Sequence, residues 1–143
     1  MDIVLALAVA ATWSMVGLIW FVQIVHYPLL GSVPFSSQVA IANRHQHLTG
    51  FVVGPLMAVE AITAVVLVID RPDGVGVAWP WVGLAALGVA LASTAFVQVP
   101  IHQRLARRPD VGDSARLVRT NWVRTVAWSL HGVAVAAMVT QAI

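Results

Sequence analysis

The sequence predicts an all-α protein, a polytopic bundle of four transmembrane helices. Hydrophobic residues make up 59% of the 143-residue chain and charged residues only 10%, with a mean hydropathy of +0.86, which is far more apolar than a soluble domain needs. Crossing a hydrocarbon core takes about 20 helical residues. Four apolar runs are long enough, at residues 3–25, 48–69, 77–101 and 125–143.

One domain over residues 1–143 accommodates these runs, with helices at about 3–26, 46–69, 77–103 and 115–142. The runs lack period-two alternation, which disfavours a β-barrel. The first run is too long for a signal peptide and follows Asp2 instead of a positive charge, so we expect a retained helix.

Arginine placement predicts the orientation. Lysine is absent, five of the eight arginines lie between the third and fourth helices, and Arg44 lies between the first and second. The turn at 70–76 has only Arg71, beside Asp70 and Asp73. The positive-inside rule then places both termini outside the cytoplasm, in a multi-pass protein of the bacterial inner membrane. Arginines beside anionic lipid explain the pI near 10.5 without nucleic acid as a partner.

Local signals predict the helix ends. Pro28 should stop the first helix, with Tyr27 at the membrane interface. The segment 34–37 should open a short interfacial helix, Gly54-Pro55 should bend the second helix, and Asp113 or Ser114 should cap the fourth. The small-residue face at 83–88 suits contact with a neighbour, in this bundle or in a homo-oligomer.

In this topology polar side chains from all four helices converge near the cytoplasmic side. They are His26, His45, His47, His102 and Asn121. Helical spacing puts Gln23 with His26, Gln98 with His102, and Asn121 with Arg124, Trp128 and His131 on shared faces. Polar stripes inside a membrane should face protein or water, because polar groups need partners there.

A second polar layer is predicted deeper in the membrane. Glu60 and His131 reach comparable depth on antiparallel helices, so Glu60 is expected to be protonated or paired with His131. The candidate hydroxyl side chains for this layer are Ser93 and Thr94 from the third helix, and Ser14 or Thr12 from the first.

Several chemistries suit the first layer. His26, His102 and His45 or His47 would hold copper, iron or zinc, or two of them would ligate haem b. Gln23, Gln98 and Asn121 would then fix the ring tautomers. The residues expected to bind a cofactor are Gln23, Gln98, His131 and Glu60. The absence of cysteine excludes thiolate ligands and an iron–sulfur cluster with thiolate ligation.

A route without metal is also open. A His base, with Arg124 and Asn121 stabilising an oxyanion, would deprotonate a phenol or enol whose carbanion reacts with oxygen. Alternatively, both layers form a polar path in a proton-linked transporter or accessory subunit, with Glu60 and His131 as relays. Each residue also has a structural interpretation, such as helix-end hydrogen bonding for His26 and His102 or phosphate contact for Arg124.

Four segments carry a family resemblance: HYPLL at 26–30, VGPLM at 53–57 followed by Glu60, QVPIHQRL at 98–105 and NWVRTVAW at 121–128. With them the chain resembles small bacterial four-helix membrane proteins of unknown function and, more distantly, the anthrone-oxygenase-like domain family. The resemblance implies a four-helix fold and, for the anthrone oxygenases, oxygenation of polycyclic phenols. His102 stands where the wider family commonly has asparagine.

The leading hypothesis is a monooxygenase-like membrane oxidoreductase that acts on a small hydrophobic substrate. His102, Arg124 and Asn121 are its expected catalytic residues. The hypothesis is based on the depth in the membrane that these side chains are predicted to share with the other histidines.

Overall fold

The computed structural model describes residues 3–143, which form four long helices with no strand among them. The helices are α1 (Ile3–Gly31), α2 (Phe35–Ile69), α3 (Ala78–Leu105) and α4 (Val111–Ala142). Each is long and apolar enough to cross a membrane, so the predicted all-α class and the number of spans are confirmed.

Short connections make consecutive helices antiparallel. Residues 32–34 and 106–110 join helices at one end, which carries most of the arginines and is called here the arginine-bearing end. Residues 70–77 join α2 to α3 at the other end. There Gly74 has a φ of +81°, which glycine adopts without strain, and the Gly76 N–H donates to Gln141 Oε1 at 2.7 Å. This bond ties the turn to the last turn of α4.

Helix α4 supplies the centre of the bundle. Its buried side chains alternate at spacings of four and three, which places them on one face. They include Leu117, Asn121, Arg124, Trp128, His131, Val135 and Met138. Large apolar side chains such as Phe51 and Phe96 point outward, as expected for contact with lipid. The predicted shared face of Asn121, Arg124, Trp128 and His131 is confirmed by their common burial.

Two π-helical turns interrupt α1 and α3, at Val22–His26 and Thr94–Gln98. The N–H groups of Tyr27 and Val99 bond to carbonyls five residues earlier, and proline follows each of them. Proline has no N–H, and its ring crowds the carbonyl four residues before it. A widened turn relieves that crowding and lets the helix continue. The prediction that Pro28 stops the first helix is therefore wrong, since α1 continues to Gly31.

The remaining helix ends also differ from prediction. Helix α2 begins at Phe35 instead of residue 46, because the expected interfacial helix is its first part, and it runs through Pro55 unbroken. Helix α4 begins at Val111 instead of 115. Its cap is Asp110, whose Oδ1 accepts the Asp113 N–H at 2.8 Å. Asp113 instead forms an ion pair with Arg104 of α3 at 2.8 Å, which braces the connection.

Candidate functional site

Three imidazoles meet near the arginine-bearing end, one from each of α1, α2 and α3. His26 Nε2 lies 2.9 Å from His45 Nδ1, and their ring centroids are 4.7 Å apart. The ring of His102 lies 5.0 Å from that of His45. The structure thus brings together His26, His45 and His102, which are 19 to 76 residues apart in sequence. We call these three residues the imidazole cluster.

His47 is not part of the imidazole cluster. Its side chain is exposed, and its ring lies edge-on to Phe51 at 4.9 Å. Two residues on a helix differ by about 200° in direction, so His45 and His47 cannot face the same interior. We expected His45 or His47 to join His26 and His102 as a metal ligand. The structure corrects this expectation, because His45 points inward and His47 points outward.

Tyr27 connects the imidazole cluster to Arg124. Its hydroxyl lies 3.0 Å from His102 Nε2 and accepts from Arg124 Nη1 at 3.4 Å. One hydrogen lies between Tyr27 and His102. With this hydrogen on Tyr27, the proton of neutral His102 is on Nδ1. With it on His102 Nε2, the neutral Tyr27 oxygen accepts from His102 as well as from Arg124, and Nδ1 is free to accept a proton.

Asn121 and Gln23 position Arg124. Arg124 Nη1 donates to Asn121 Oδ1 at 3.0 Å, and Asn121 Nδ2 donates to Gln23 Oε1 at 2.9 Å. Gln23 Nε2 in turn donates to the Val118 carbonyl at 3.2 Å. Gln23 lies in the first π turn, which directs it inward. We expected Gln23 and Asn121 to fix imidazole tautomers. They bond to each other instead, and Asn121 also bonds to Arg124.

Arg124 lacks a carboxylate partner among residues 3–143. It is only 7% exposed, and the basic side chains within 4.0 Å of a carboxyl oxygen in that range are Arg104, beside Asp113, and His131, beside Glu60. The guanidinium instead lies over the Trp128 ring, 5.1 Å from its centroid. A charge taken out of water normally needs an opposite charge or several hydrogen bonds. This guanidinium therefore favours an anionic group as its ligand.

A cavity of about 180 Å³ lies beside these groups, between α2 and α3. Tyr27, His45, His102 and Arg124 contribute to its wall. The other lining residues are Gln46, Thr49, Gly50, Val53, Thr94, Gln98 and Val99. Three of the lining side chains each carry a buried polar atom with no hydrogen-bond partner: His102 Nδ1, Arg124 Nε and Gln98 Oε1. Unpaired buried polar atoms are rare and costly, so their grouping around one cavity indicates a ligand site.

Sequence reasoning missed Tyr27 and Thr49. Tyr27 was expected at the membrane interface, yet it is buried against His102, because the π turn changes the face on which residue 27 lies. Thr49 Oγ1 contacts His45 Nδ1 at 3.1 Å. Its spacing of four from His45 on a helix was the available signal. Gln98, expected beside an imidazole, donates to Thr120 Oγ1 at 2.9 Å.

The imidazole cluster is arranged for hydrogen bonding instead of metal ligation. Two of its nitrogens face each other, and a third, His102 Nε2, faces the Tyr27 hydroxyl. Among residues 3–143 no group of three or more His, Asp or Glu side chains is placed to hold a metal ion. In this arrangement the imidazole nitrogens do not fit the expected copper, iron or haem site.

The deeper polar layer is centred on Trp128. Its indole N–H lies 3.0 and 3.2 Å from the two Glu60 oxygens, whereas His131 Nε2 is 4.0 Å from Glu60 Oε1. The His131 ring lies between the Gly83 carbonyl, 2.9 Å from Nδ1, and Thr12 Oγ1, 3.1 Å from Nε2. Since a carbonyl only accepts, His131 carries its proton on Nδ1 and accepts from Thr12. Hence Glu60 and His131 are neighbours, but each hydrogen-bonds elsewhere.

Two of the other hydroxyls expected in the deeper layer bond to the backbone of their own helix instead. Ser14 donates to the Ala10 carbonyl at 2.8 Å, and Thr94 donates to the Ala90 carbonyl at 2.8 Å. Thr94 instead lines the cavity beside the imidazole cluster.

Comparison of the chain with protein-family models, with curated proteins and with solved structures finds no match. The geometry of the site therefore carries the functional argument.

Proposed function

We infer that the protein is a membrane-embedded oxidoreductase of the oxygenase type, which deprotonates a small acidic substrate such as a phenol or enol. One observation carries the proposal: among residues 3–143, a buried Arg124 without a carboxylate partner stands beside His102, whose Nδ1 is unpaired, at a single cavity. An anionic oxygen bound there would satisfy the guanidinium and the imidazole together.

His102 supplies the base. With its hydrogen on Nε2, donated to the neutral Tyr27 oxygen 3.0 Å away, His102 accepts the substrate proton on Nδ1 and becomes an imidazolium. The substrate oxygen then carries the negative charge beside Arg124, so the guanidinium gains an anionic neighbour. Such preorganised stabilisation is usually a large part of catalysis.

Dioxygen is the proposed oxidant. The deprotonated substrate has carbanion character at a ring or enol carbon. That carbon forms a bond to dioxygen and supplies two electrons, and the proton held by His102 returns to give a hydroperoxide. The resemblance to anthrone-oxygenase-like domains supports this choice, and Gln98 Oε1 would accept a second hydroxyl of the substrate.

Oxygen uptake tests the proposal. Detergent-purified protein is given a panel of phenols and enols in an oxygen electrode, with His102→Ala compared to His47→Ala. We expect substrate-dependent uptake that His102→Ala lowers about 10²- to 10⁴-fold, as for loss of a general base, and that His47→Ala leaves unchanged. Equal loss in both variants, or no uptake with any substrate, contradicts the proposal. Stoichiometric copper or iron, or a Soret band, in active protein would instead support the metal or haem route.

A transporter is the second candidate, since polar contacts continue from the site into the deeper layer. Arg124 stacks on Trp128, which bonds Glu60, and Glu60 adjoins His131. In liposomes this function predicts proton-dependent solute flux that Glu60→Gln abolishes. The enzyme proposal predicts no such flux.

The proposed setting is the bacterial inner membrane with the arginine-bearing end in the cytoplasm. Six of the eight arginines lie in or beside the two connections at that end, and Arg71 alone is at the other. This asymmetry supports the orientation through the positive-inside rule.

A further inference from the structure

The cavity reaches the outer surface of the bundle between α2 and α3. Gly50 on α2 is exposed, and Val99 on α3 is 41% exposed, yet both line the cavity. A β-carbon added at Gly50 would meet no atom within 4 Å. Glycine therefore leaves open space at the rim, on a surface that elsewhere presents Phe51 and Phe96 to lipid.

The opening lies beside the start of the apolar run of α2, which is the predicted edge of the hydrocarbon layer. Gly50 is two residues beyond Leu48, where the apolar run of α2 begins, which corresponds to about 3 Å of helix rise. The arginine-bearing end is immediately adjacent, and anionic groups concentrate beside arginines at a membrane surface. A lipid-borne molecule with an acidic head would thus reach the opening without first entering water.

The cavity size limits the head of that molecule. A volume of about 180 Å³ is close to that of the engineered apolar cavity of roughly 150 Å³ that binds benzene. One aromatic ring fills the space, so any longer apolar portion must extend through the opening. Val53 and Val99 provide apolar walls there.

Resting on the proposed function, we propose that the substrate is a lipid-partitioned amphiphile with one acidic ring and an apolar tail, which enters between α2 and α3 past Gly50. The ring occupies the cavity with its oxygen at Arg124 and His102, and the tail remains in the bilayer. The substrate is thus a single-ring amphiphile, smaller at its head than a polycyclic phenol.

Binding in nanodiscs tests this proposal with three probes: 4-hexyl-2-nitrophenol, its methyl ether, and 2-nitrophenol without a tail. Nitrophenolates absorb visible light, so ionisation on binding is seen directly, and empty nanodiscs give the partition background. The wild type should bind the hexyl phenol at least about tenfold more tightly than the methyl ether, which cannot ionise, and than the tailless phenol.

Gly50→Leu and Gly54→Leu form a matched pair, because Gly54 lies one turn further along α2, has equally open space and does not line the cavity. We expect Gly50→Leu to weaken hexyl phenol binding or slow its association at least about tenfold, and Gly54→Leu to leave both within twofold. Helicity by circular dichroism checks that each variant folds.

The outcomes separate the two proposals. If both leucine variants bind alike while the phenol is still preferred to its ether, the entry route is overturned and the anion site stands. If the tailless phenol binds as tightly as the hexyl phenol, the amphiphile is overturned. If the phenol and its ether bind alike, the proposed function itself fails.

Discussion

The Trp128 indole N–H lies 3.0 Å from one oxygen of Glu60 and 3.2 Å from the other, at a depth where the carboxyl group has no access to solvent. The same indole ring also contacts the Arg124 guanidinium, which lies over it. One aromatic side chain therefore connects the proposed site with the deeper layer. It also separates a cation from a carboxyl group without letting them pair.

Trp128→Phe should destabilise the protein by about 1–3 kcal/mol, because Glu60 would lose its N–H donor while staying buried. Thermal unfolding in detergent measures the change. Trp122→Phe is the control, since Trp122 lies on the same helix but is exposed. Equal shifts in melting temperature for the two variants would show that Glu60 does not depend on the indole.

Tyr27→Phe should separate binding from chemistry. The phenyl ring preserves packing but cannot accept the His102 Nε2 hydrogen, the contact that keeps Nδ1 free as the base, so turnover should fall about 10²-fold or more while KM changes little. Steady-state kinetics with the best substrate of the oxygen-uptake panel provide both values. A rise in KM with kcat unchanged would mean that Tyr27 contributes only to substrate binding.

Arg124→Met should abolish the visible phenolate signal of bound 4-hexyl-2-nitrophenol, because no cation would remain beside the cavity. Methionine retains an apolar stem over Trp128, so we expect the bundle to stay folded. Arg119→Met is the control, as Arg119 is exposed near the start of the same helix. A phenolate signal that survives Arg124→Met would place the anion elsewhere.

Pro100→Ala tests whether the second π turn positions the site. Alanine restores an N–H and removes the ring that crowds the preceding turn, so residues 94–98 could relax to α-helix and rotate Gln98 away from the cavity. Ligand affinity should fall about tenfold, which corresponds to one lost polar contact, without loss of thermal stability.

Pro55→Ala is the matched control for that experiment, because Pro55 lies inside α2 in a continuous α-helix. It should leave affinity unchanged. Similar affinities for the wild type, Pro55→Ala and Pro100→Ala would mean that the π turn does not orient the site.

The bundle was predictable because hydrophobic length and helical spacing are local properties of the sequence. Apolar runs gave four spans, and spacing placed Asn121, Arg124 and His131 on one buried face. Antiparallel order then brought His26, His45 and His102 to one end. None of these inferences required knowledge of side-chain contacts.

The hydrogen-bond partners were less predictable, because a π turn adds one residue to the helix and so changes which of the following side chains face the interior. Such a turn leaves little trace in the composition of the sequence. Tyr27 turns inward for that reason. Glu60 accepts from Trp128 and not from His131, because the indole nitrogen lies 3.0 Å from a carboxyl oxygen and the imidazole nitrogen 4.0 Å. Helical spacing in the sequence does not resolve a difference of about one ångström. Proline two residues after an inward-facing polar residue, as at His26 and Gln98, was the one available signal.

Membrane orientation can be measured directly because the chain contains no cysteine. Single substitutions Asp73→Cys and Pro109→Cys place a thiol in the connections at opposite ends of the bundle. In intact cells, an impermeant maleimide should label Asp73→Cys, and it should label Pro109→Cys only after the membrane is permeabilised, as the arginine asymmetry predicts. The reverse pattern would place the arginine-bearing end, and with it the imidazole cluster, on the outer face. Labelling of both thiols in intact cells would indicate mixed orientation, and the proposed cytoplasmic site would then fail.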